Sequence, residues 1–439
     1  MPPPFSAAAR RLLLVAGLGM VFSGCVTYVA APLSSETSAT TLQERRLGGG
    51  TWTRARLTAL ALKQQPELEV TRAKVATAQA ALVTAGARPN PTFGFSATNI
   101  SRLLGGMEPW ATGFTLDVPI ETAGKRGQRV AQAQAMANAA ALNLAHAEWL
   151  AKSRVRKNLF ELFAAKQRQD LLGRQQADQD EIVKLLDARI VAGEISRLEA
   201  MQARLQSSQS RLLLRDAEKL SAEAQASLAE AVGVSVHALD AAQLSFAGLD
   251  ALPHRPDEAR LRRAALLQRS ELLAALAEYA AAEASVRLEI AKQFPDLHLG
   301  PGYSYDQGQN KWTIGFNVTL PVFDRNRGPI EEALAKRREA AANFNAQQAK
   351  ALAELERALA SYRGSLAKLE TAEQLLTAQE KQQRSSEALF KGGESDRLTL
   401  VSAQVELHAA RLARLDAQLG ALQALGQLED AAQLTLTPE

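Results

Sequence analysis

The stretch Trp110–Ile120, with the sequence WATGFTLDVPI, alternates large apolar residues with small or polar ones over its whole length. About 200 residues later, Trp312–Val322 repeats this pattern as WTIGFNVTLPV. Successive side chains of a strand point to opposite faces, so a period of two predicts amphipathic strands. A weaker alternating run precedes each stretch, and we therefore predict two β-hairpins, at 92–120 and at 296–322.

The length and ends of these strands suit a membrane. A tilted strand of about ten residues crosses a lipid bilayer. Trp110 and Trp312 stand at the strand starts, where an interfacial aromatic girdle would lie. Asp117 and Asn317 fall on the opposite face, which would then line a polar barrel lumen. The alternative is a soluble sheet that packs its apolar face on a core.

The number of strands limits how they could enter lipid. Four strands cannot close a barrel, and open strand edges are not tolerated in lipid because their backbone groups would lack partners. The chain must therefore associate with copies of itself if its strands are membrane-spanning. Three copies would supply twelve strands.

A very long helical segment follows each hairpin. Residues 128–192 contain no proline and only one glycine, Gly173. An unbroken helix there would reach roughly 95 Å at 1.5 Å per residue. Gly193 then interrupts the pattern before a second helix, and the second half repeats this plan with a break at Gly392-Gly393.

The two interruptions have nearly the same sequence. GEISRL at 193–198 recurs as GESDRL at 393–398. Together with the repeated hairpins, this indicates a duplicated half-protein rather than a short-period solenoid. We call 193–198 the first tip and 393–398 the second tip, because each would join two antiparallel helices.

The helix after the second tip carries an a/d heptad seam, which is typical of a coiled coil. The seam residues are Leu398, Val401, Val405, His408, Leu412, Leu415, Leu419 and Leu422. After the first tip, the same phase is kept by Leu198, Met201, Leu205 and Leu212, until Arg215 and Lys219 break it. A soluble four-helix bundle would show similar helices but would need no amphipathic strands.

The N-terminus has the pattern of a targeting segment. Arg10-Arg11 precede a short apolar run that ends in small residues just before Cys25, the only cysteine of the chain. We predict a lipoprotein signal peptide at 1–24, lipid attachment to Cys25, and a lipid-anchored linker at 25–51. An ordinary secretory signal with an incidental cysteine is the alternative.

The repeats divide the rest of the chain. The first repeat covers 52–233 and the second covers 257–433, and each consists of a helix, a hairpin and two long helices. The segment 234–256 connects them, and 434–439 forms a C-terminal tail. The fold class is mainly α with β.

The composition gives no sign of catalytic or nucleic-acid chemistry. The formal net charge of +4 is too small for a nucleic-acid footprint. Gly48–Gly50 and Gly124–Gly127 lack the spacing of a phosphate-binding loop. The five histidines are scattered without a metal-ligand spacing. We expect no enzyme activity, no metal site and no cofactor apart from the lipid on Cys25.

The doubled plan of hairpin, long helix, glycine tip and returning helix resembles the TolC-like outer-membrane efflux family, from about Leu57 to Asp430. Four short motifs are similar to its heavy-metal branch (cobalt-zinc-cadmium and copper-silver): Asn90-Pro91, Val118-Pro119-Ile120, Gly124-Lys125-Arg126-Gly127 and Leu320-Pro321-Val322. The resemblance implies a homotrimer with a twelve-stranded β-barrel in the outer membrane of a Gram-negative cell. It also implies a long antiparallel coiled-coil α-barrel in the periplasm.

The resemblance further implies docking on a periplasmic adaptor (membrane-fusion) protein and an inner-membrane RND pump. The docking residues it implies are Gly193, Glu194, Arg197, Leu198, Gly393, Glu394, Asp396, Arg397 and Leu398. In many relatives an acidic residue six positions after the tip glycine narrows the periplasmic aperture. Glu199 holds that position here, although an exposed Glu on a helix is commonly only solvated surface.

Three functions remain open from the sequence. The first is the exit duct of an RND-type tripartite system that exports heavy-metal cations. The second is an outer-membrane duct for organic compounds, or for polypeptides in type I secretion. The third is a periplasmic coiled-coil lipoprotein that has a structural role and no pore.

Overall fold

The computed structural model describes residues 28–99, 109–240, 242–249, 252–253 and 256–436. The expected signal peptide, 1–24, and the expected lipid-bearing Cys25 lie outside the described residues, so both remain predictions.

The chain divides into two units, which meet at Arg45 and Arg46 in the sequence. Within the first unit, helix α1 covers Ser35–Gln43, and the hydroxyl of Ser34 caps it by accepting from the Thr37 N–H at 3.4 Å. Part of the segment predicted as a linker at 25–51 is therefore helical. All residues of α1 are exposed.

The second unit contains the two repeats. The elements of the first half are β1 (Thr51–Trp52), α2 (Arg54–Gln64), α3 (Pro66–Gly86), β2 (Thr92–Asn99), β3 (Trp110–Ile120), α4 (Lys125–Val191) and α5 (Arg197–Val232). Those that follow are α6 (Val236–Asp240), β4 (Gln243–Leu244), α7 (Glu258–Leu267), α8 (Ser270–Ala291), β5 (Leu297–Asp306), β6 (Gln309–Val318), α9 (Arg327–Lys391) and α10 (Arg397–Ala432).

Four strands form one antiparallel sheet in the order β2-β3-β5-β6. Pairing between β3 and β5 joins the two predicted hairpins and leaves β2 and β6 as the edges. The first hairpin has the predicted limits, but β6 ends at Val318 and not at Val322 as the sequence pattern predicted. β5 begins at Leu297, the partner of Val318, so the residues after Val318 have no part of β5 beside them to pair with, and the alternation continues beyond the strand itself.

The single helix predicted at the start of the second repeat, before its hairpin, is in fact two helices, α7 and α8. Arg269 breaks it with an extended backbone (φ −60°, ψ 126°), as Gln65 does between α2 and α3 (φ −65°, ψ 119°). The guanidinium of Arg269 is buried and lies 2.9 Å from the Glu354 carboxylate. This long-range ion pair accompanies a break that no proline marks in the sequence.

Both tips reverse the chain through a glycine with left-handed backbone. Gly193 has φ 78° and Gly393 has φ 79°, a region that L side chains rarely adopt. In each tip the next residue, Glu194 or Glu394, donates its N–H to a carbonyl in the last turn of the preceding helix at 2.9 Å. This is a Schellman-type helix end. Helix α4, with 67 residues, is about 100 Å long.

Two apolar clusters hold the helices together. One joins α7, α9 and α10 and consists of Leu261, Ala264, Ala265, Leu355, Ala358, Leu359, Tyr362, Ala424, Leu425, Leu428, Ala431 and Ala432. The other joins α2, α4 and α5 with β1 and α6 and consists of Trp52, Leu57, Ala61, Val155, Leu159, Leu162, Leu228, Ala229, Ala231, Val232 and Leu239. Burial raises the pKa of Tyr362 to about 12, and its hydroxyl donates to the Pro253 carbonyl at 2.8 Å.

Candidate functional site

One face of the sheet is apolar and uncovered in the protomer. Trp312 is 80% exposed and Ile314 is 84% exposed, and Trp110 is also exposed. The exposed aromatic side chains of neighbouring strands contact one another, with ring centroids 5.3 Å apart for Phe95 and Phe114. An apolar sheet face of this kind needs an apolar environment, since water would otherwise contact it directly.

The opposite face consists largely of small and polar residues. A Cβ atom added to Gly94 would lie 2.6 Å from the Thr115 hydroxyl, and one added to Gly302 would lie 2.9 Å from the Thr313 hydroxyl. Glycine is therefore needed where it pairs with threonine, and the side chains at these positions of the face are small.

The predicted lumen residues lie on this polar face, near the end of the sheet where β3 leads into α4. Nδ1 of His298 is 3.0 Å from Oδ2 of Asp117 and 3.2 Å from Oδ1. Asn317 is the direct partner of His298 in the pairing of β5 with β6. His298 was not singled out from the sequence, although its place between Leu297 and Leu299 already puts it on the polar face.

The helices carry a second uncovered apolar surface. The α5 stripe consists of Leu198, Met201, Leu205 and Leu212, and all four are exposed, with Leu213 and Leu220 exposed beside them. These residues continue the phase of the predicted seam. On α10, by contrast, the corresponding seam is partly or fully buried within the protomer, and Val401, Leu415 and Leu422 are its most buried apolar members.

Helix α5 uses a different face to pack on α4. Its buried residues over most of its length are small: Ala200, Ala203, Ser207, Ser210, Ala217 and Ser221. Small residues allow the two helices to approach closely, and they leave the larger side chains of α5 on the outside. The α5 stripe is therefore on the surface of the protomer, where it is available for contact with another molecule.

The two tips differ in their contacts despite their similar sequences. In the first tip, Leu198 is 76% exposed, and Arg197 is exposed as well. Glu194 lies near Arg189, with 3.9 Å between the charged groups. Glu199 is exposed in the first turn of α5, and its N–H donates to the Ser196 cap at 3.4 Å. A solvent-facing carboxylate at Glu199 agrees both with a residue that narrows the periplasmic aperture and with ordinary solvated surface.

The second tip is fastened to α4. Arg397 donates to both carboxylate oxygens of Glu181, at 2.7 and 3.1 Å, and this hydrogen bonding lowers the pKa of Glu181. Asp396 accepts from Thr399 and lies 2.5 Å from the Arg189 guanidinium. Hydrogen bonds from the Thr399 hydroxyl and N–H, followed by the one from Arg189, lower the pKa of Asp396 to about 2.

A further polar link joins α4 and α10 along the seam. Nε2 of His408 lies 3.0 Å from Oδ2 of Asp178. Burial lowers the pKa of His408 and raises the pKa of Asp178, because a low-dielectric site disfavours the charged form of each. His408 is thus a packed polar residue in the seam, as its heptad position suggests.

The described residues contain no group of three or more His, Cys, Asp and Glu side chains placed to hold a metal ion. Nor does any helix within the described ranges combine the length and the hydropathy needed to cross a membrane.

Sequence comparison finds a matching protein family and similar proteins in two bacteria. The chain matches the family described as "Outer membrane efflux protein" over residues 57–234 and 261–432. It is 27% identical to the pyoverdine export outer membrane protein OpmQ of Pseudomonas aeruginosa over 399 residues, which cover 83% of each chain. It is 26% identical to the cobalt-zinc-cadmium resistance protein CzcC of Cupriavidus metallidurans over 411 residues, which cover 92% of this chain and 94% of CzcC.

A solved structure supports the fold. The outer-membrane channel OprN superposes with a TM-score of 0.72 at 19% identity, over 94% of this chain and 99% of that chain.

Proposed function

Because the chain belongs to the outer membrane efflux protein family, we propose that it is the exit duct of a tripartite efflux system and that it exports heavy-metal cations. Membership confirms the resemblance to TolC-like efflux proteins. The chain is an outer membrane efflux channel and not an enzyme. Its oligomeric state, its partners, its lipid anchor and its cargo are the subject of the proposal.

The observation that carries the proposal is the four-stranded sheet with two open edges. Its apolar face is uncovered, its polar face is lined by small residues, and β2 and β6 have no strand beyond them among the described residues. In lipid the unpaired backbone groups of these edges would be costly. Pairing β6 of one subunit with β2 of the next satisfies them, and three subunits give a closed barrel of twelve strands.

The α5 stripe supports the same assembly in the helical part. Four large apolar side chains stand in one line on a helix that already packs on α4 through small residues. A second copy of the chain covers this stripe in a homotrimer, which continues the coiled coil from one subunit to the next. The α5 seam would then form contacts between subunits, whereas the α10 seam packs within one subunit.

The tips are the docking surface for the periplasmic adaptor, which in turn binds an inner-membrane RND pump. The first tip offers an exposed apolar side chain, Leu198, and the cation of Arg197. The second tip is held to α4 by Arg397 and Asp396 and offers a fixed surface. The pump supplies the energy, and the duct itself carries out no chemical step.

Lipid attachment to Cys25 anchors the mature chain in the outer membrane after removal of 1–24. The placement of the only cysteine directly after a short apolar run supports this part. The remaining linker joins the anchor to the second unit. Outer-membrane lipid thus contacts both the acyl chains and the apolar face of the sheet.

Metal cations are the proposed cargo because the similarity to CzcC, a cobalt-zinc-cadmium resistance protein, covers nearly the whole of both chains. The similarity to OpmQ, a pyoverdine export protein, has comparable identity over a shorter part of the chain. An organic cargo is therefore the second candidate. The short motifs similar to the heavy-metal branch favour the first.

Conductance in planar lipid bilayers tests the duct. We expect the purified, lipid-modified protein to give discrete ion currents as a trimer, and an intact trimer without current would instead support a structural lipoprotein.

Deletion of the gene tests the cargo. The proposal predicts lower tolerance to zinc, cobalt, cadmium, copper or silver, and unchanged tolerance to all five would contradict the metal cargo.

A further inference from the structure

The Asp117–His298 pair is a polar contact that the packing of the sheet does not require. It lies on the small-residue face of the sheet, where most neighbours are Gly, Ser or Thr. Both side chains are partly exposed, at 42% for Asp117 and 40% for His298. The pair is therefore accessible from the space that this face lines, and an exposed pair of this kind contributes little to stability.

The geometry of the pair determines which imidazole nitrogen is available. Both carboxylate oxygens of Asp117 lie within 3.2 Å of Nδ1 of His298, so the neutral imidazole carries its proton on Nδ1. Nε2 then has a free lone pair, because the side-chain hydrogen bonds of His298 within the described residues are made through Nδ1. A carboxylate on one imidazole nitrogen fixes the tautomer and the orientation of the ring, as it does for histidines that bind metals.

The position of the pair matters for a moving ion. Asp117 lies eight residues before the start of α4 at Lys125, whereas the β5–β6 turn at Gln307-Gly308 is at the other end of the sheet. A cation that leaves the helical part of the duct would meet these groups at the entrance to the barrel. Asn317, the cross-strand partner of His298, lies beside it on the same face of the sheet.

We propose that the Asp117–His298 pair is a transient binding site for borderline divalent cations such as Zn²⁺, Co²⁺ and Cu²⁺. Nε2 of His298 is the protein ligand, Asp117 orients it, and water completes the coordination. Imidazole suits these metals, whereas hard cations such as Mg²⁺ prefer oxygen ligands. The inference rests on the proposed duct and extends it, since three subunits place three such pairs around the lumen.

A single protein ligand per site gives weak binding, which conduction requires. A site in a conduit must attract the ion enough for entry and still release it quickly. Three carboxylates around the lumen add a negative potential at the same level. Each pair acts separately because, with four strands per subunit, equivalent positions lie four strands apart around a twelve-stranded barrel.

The test measures block of potassium current by Zn²⁺ through single trimers in planar bilayers. For the wild type we expect Zn²⁺ to reduce the current at concentrations where Mg²⁺ has no effect. His298→Gln, which keeps a polar side chain, should weaken this block at least tenfold. Asp117→Asn should weaken it by about 10-fold to 100-fold, the usual cost of losing a carboxylate behind a metal-binding histidine.

Asp306→Asn is the matched control. Asp306 also faces the polar side of the sheet and pairs with a cation, Lys311, at 2.8 Å, but at the far end of β5. Its variant should keep the Zn²⁺ block of the wild type. A conducting wild type that ignores Zn²⁺, or a His298→Gln variant with unchanged block, would overturn the inference and leave the duct intact. Absence of any current would instead contradict the proposed function.

Discussion

Replacement of Leu212 by Ala tests whether the α5 stripe is a contact between subunits. Leu212 is 67% exposed in the protomer. Full burial of a leucine side chain contributes about 1.5–3 kcal/mol, so covering the exposed two-thirds would contribute about 1–2 kcal/mol per interface. Three equivalent interfaces give about 3–6 kcal/mol for the trimer, or a weakening of assembly by roughly 10²-fold to 10⁴-fold.

The assay compares two quantities for the same variant: the trimer fraction against protein concentration, by sedimentation in detergent, and the free energy of unfolding of the protomer. We expect Leu212→Ala to shift the trimer fraction and to leave protomer unfolding nearly unchanged.

Leu415→Ala is the matched control, because Leu415 is 6% exposed and lies in the α10 seam. It should cost about 2–5 kcal/mol of protomer stability, as for other buried leucines. The reasoning is refuted if Leu212→Ala destabilises the protomer as much as Leu415→Ala does, or if it leaves the trimer unaffected.

Three further outcomes follow from contacts within the protomer. Arg397→Gln removes the ion pair with Glu181. Because this pair is partly exposed, the free energy of unfolding should fall by less than about 1 kcal/mol, while amide hydrogen exchange at the second tip should become faster. Unchanged exchange would show that the pair does not hold the tip in place. Asp396 has a pKa of about 2 against an ordinary 3.8, so its stabilising contribution is complete above pH 3.8 and is lost as pH falls through about 2. Denaturant unfolding at several pH values should show this loss, and Asp396→Asn should abolish this part of the pH dependence. Leu355→Ala creates a cavity at a fully buried site and should cost about 2–5 kcal/mol in denaturant unfolding, whereas a cost below 1 kcal/mol would contradict the packing.

The sequence predicted the elements whose signals are local. Alternation over Trp110–Ile120 predicted β3 with its limits, and the glycines of the two tips predicted the helix ends, where Gly193 and Gly393 adopt a left-handed backbone. Helix ends and strand faces follow from periodicity and from backbone freedom, which neighbouring residues determine. For the same reason, the polar side of the sheet could be assigned before its contacts were known.

Features that depend on distant partners could not be predicted in the same way. Arg397 and Glu181 are 216 residues apart, and no local pattern links them. The break at Arg269 has no proline to mark it and coincides with a buried ion pair to another helix. In the sequence, His298 is one of five scattered histidines, and only the strand pairing in the structure shows that it lies beside Asp117. Each of these is a tertiary contact that periodicity does not encode.

Disulfide trapping between edge strands tests the closed barrel most directly. Cysteines would replace Ser96 on β2 and, in separate variants, Lys311, Thr313 or Gly315 on β6, with Cys25 kept for the lipid. We predict that one of these registers yields covalent trimers on oxidation in the outer membrane, because disulfides form only between closely placed Cβ atoms. Ser304→Cys, on the central strand β5, should yield none when it is combined with Ser96→Cys. Monomers alone in every register, from protein that reaches the outer membrane, would contradict closure by neighbouring subunits.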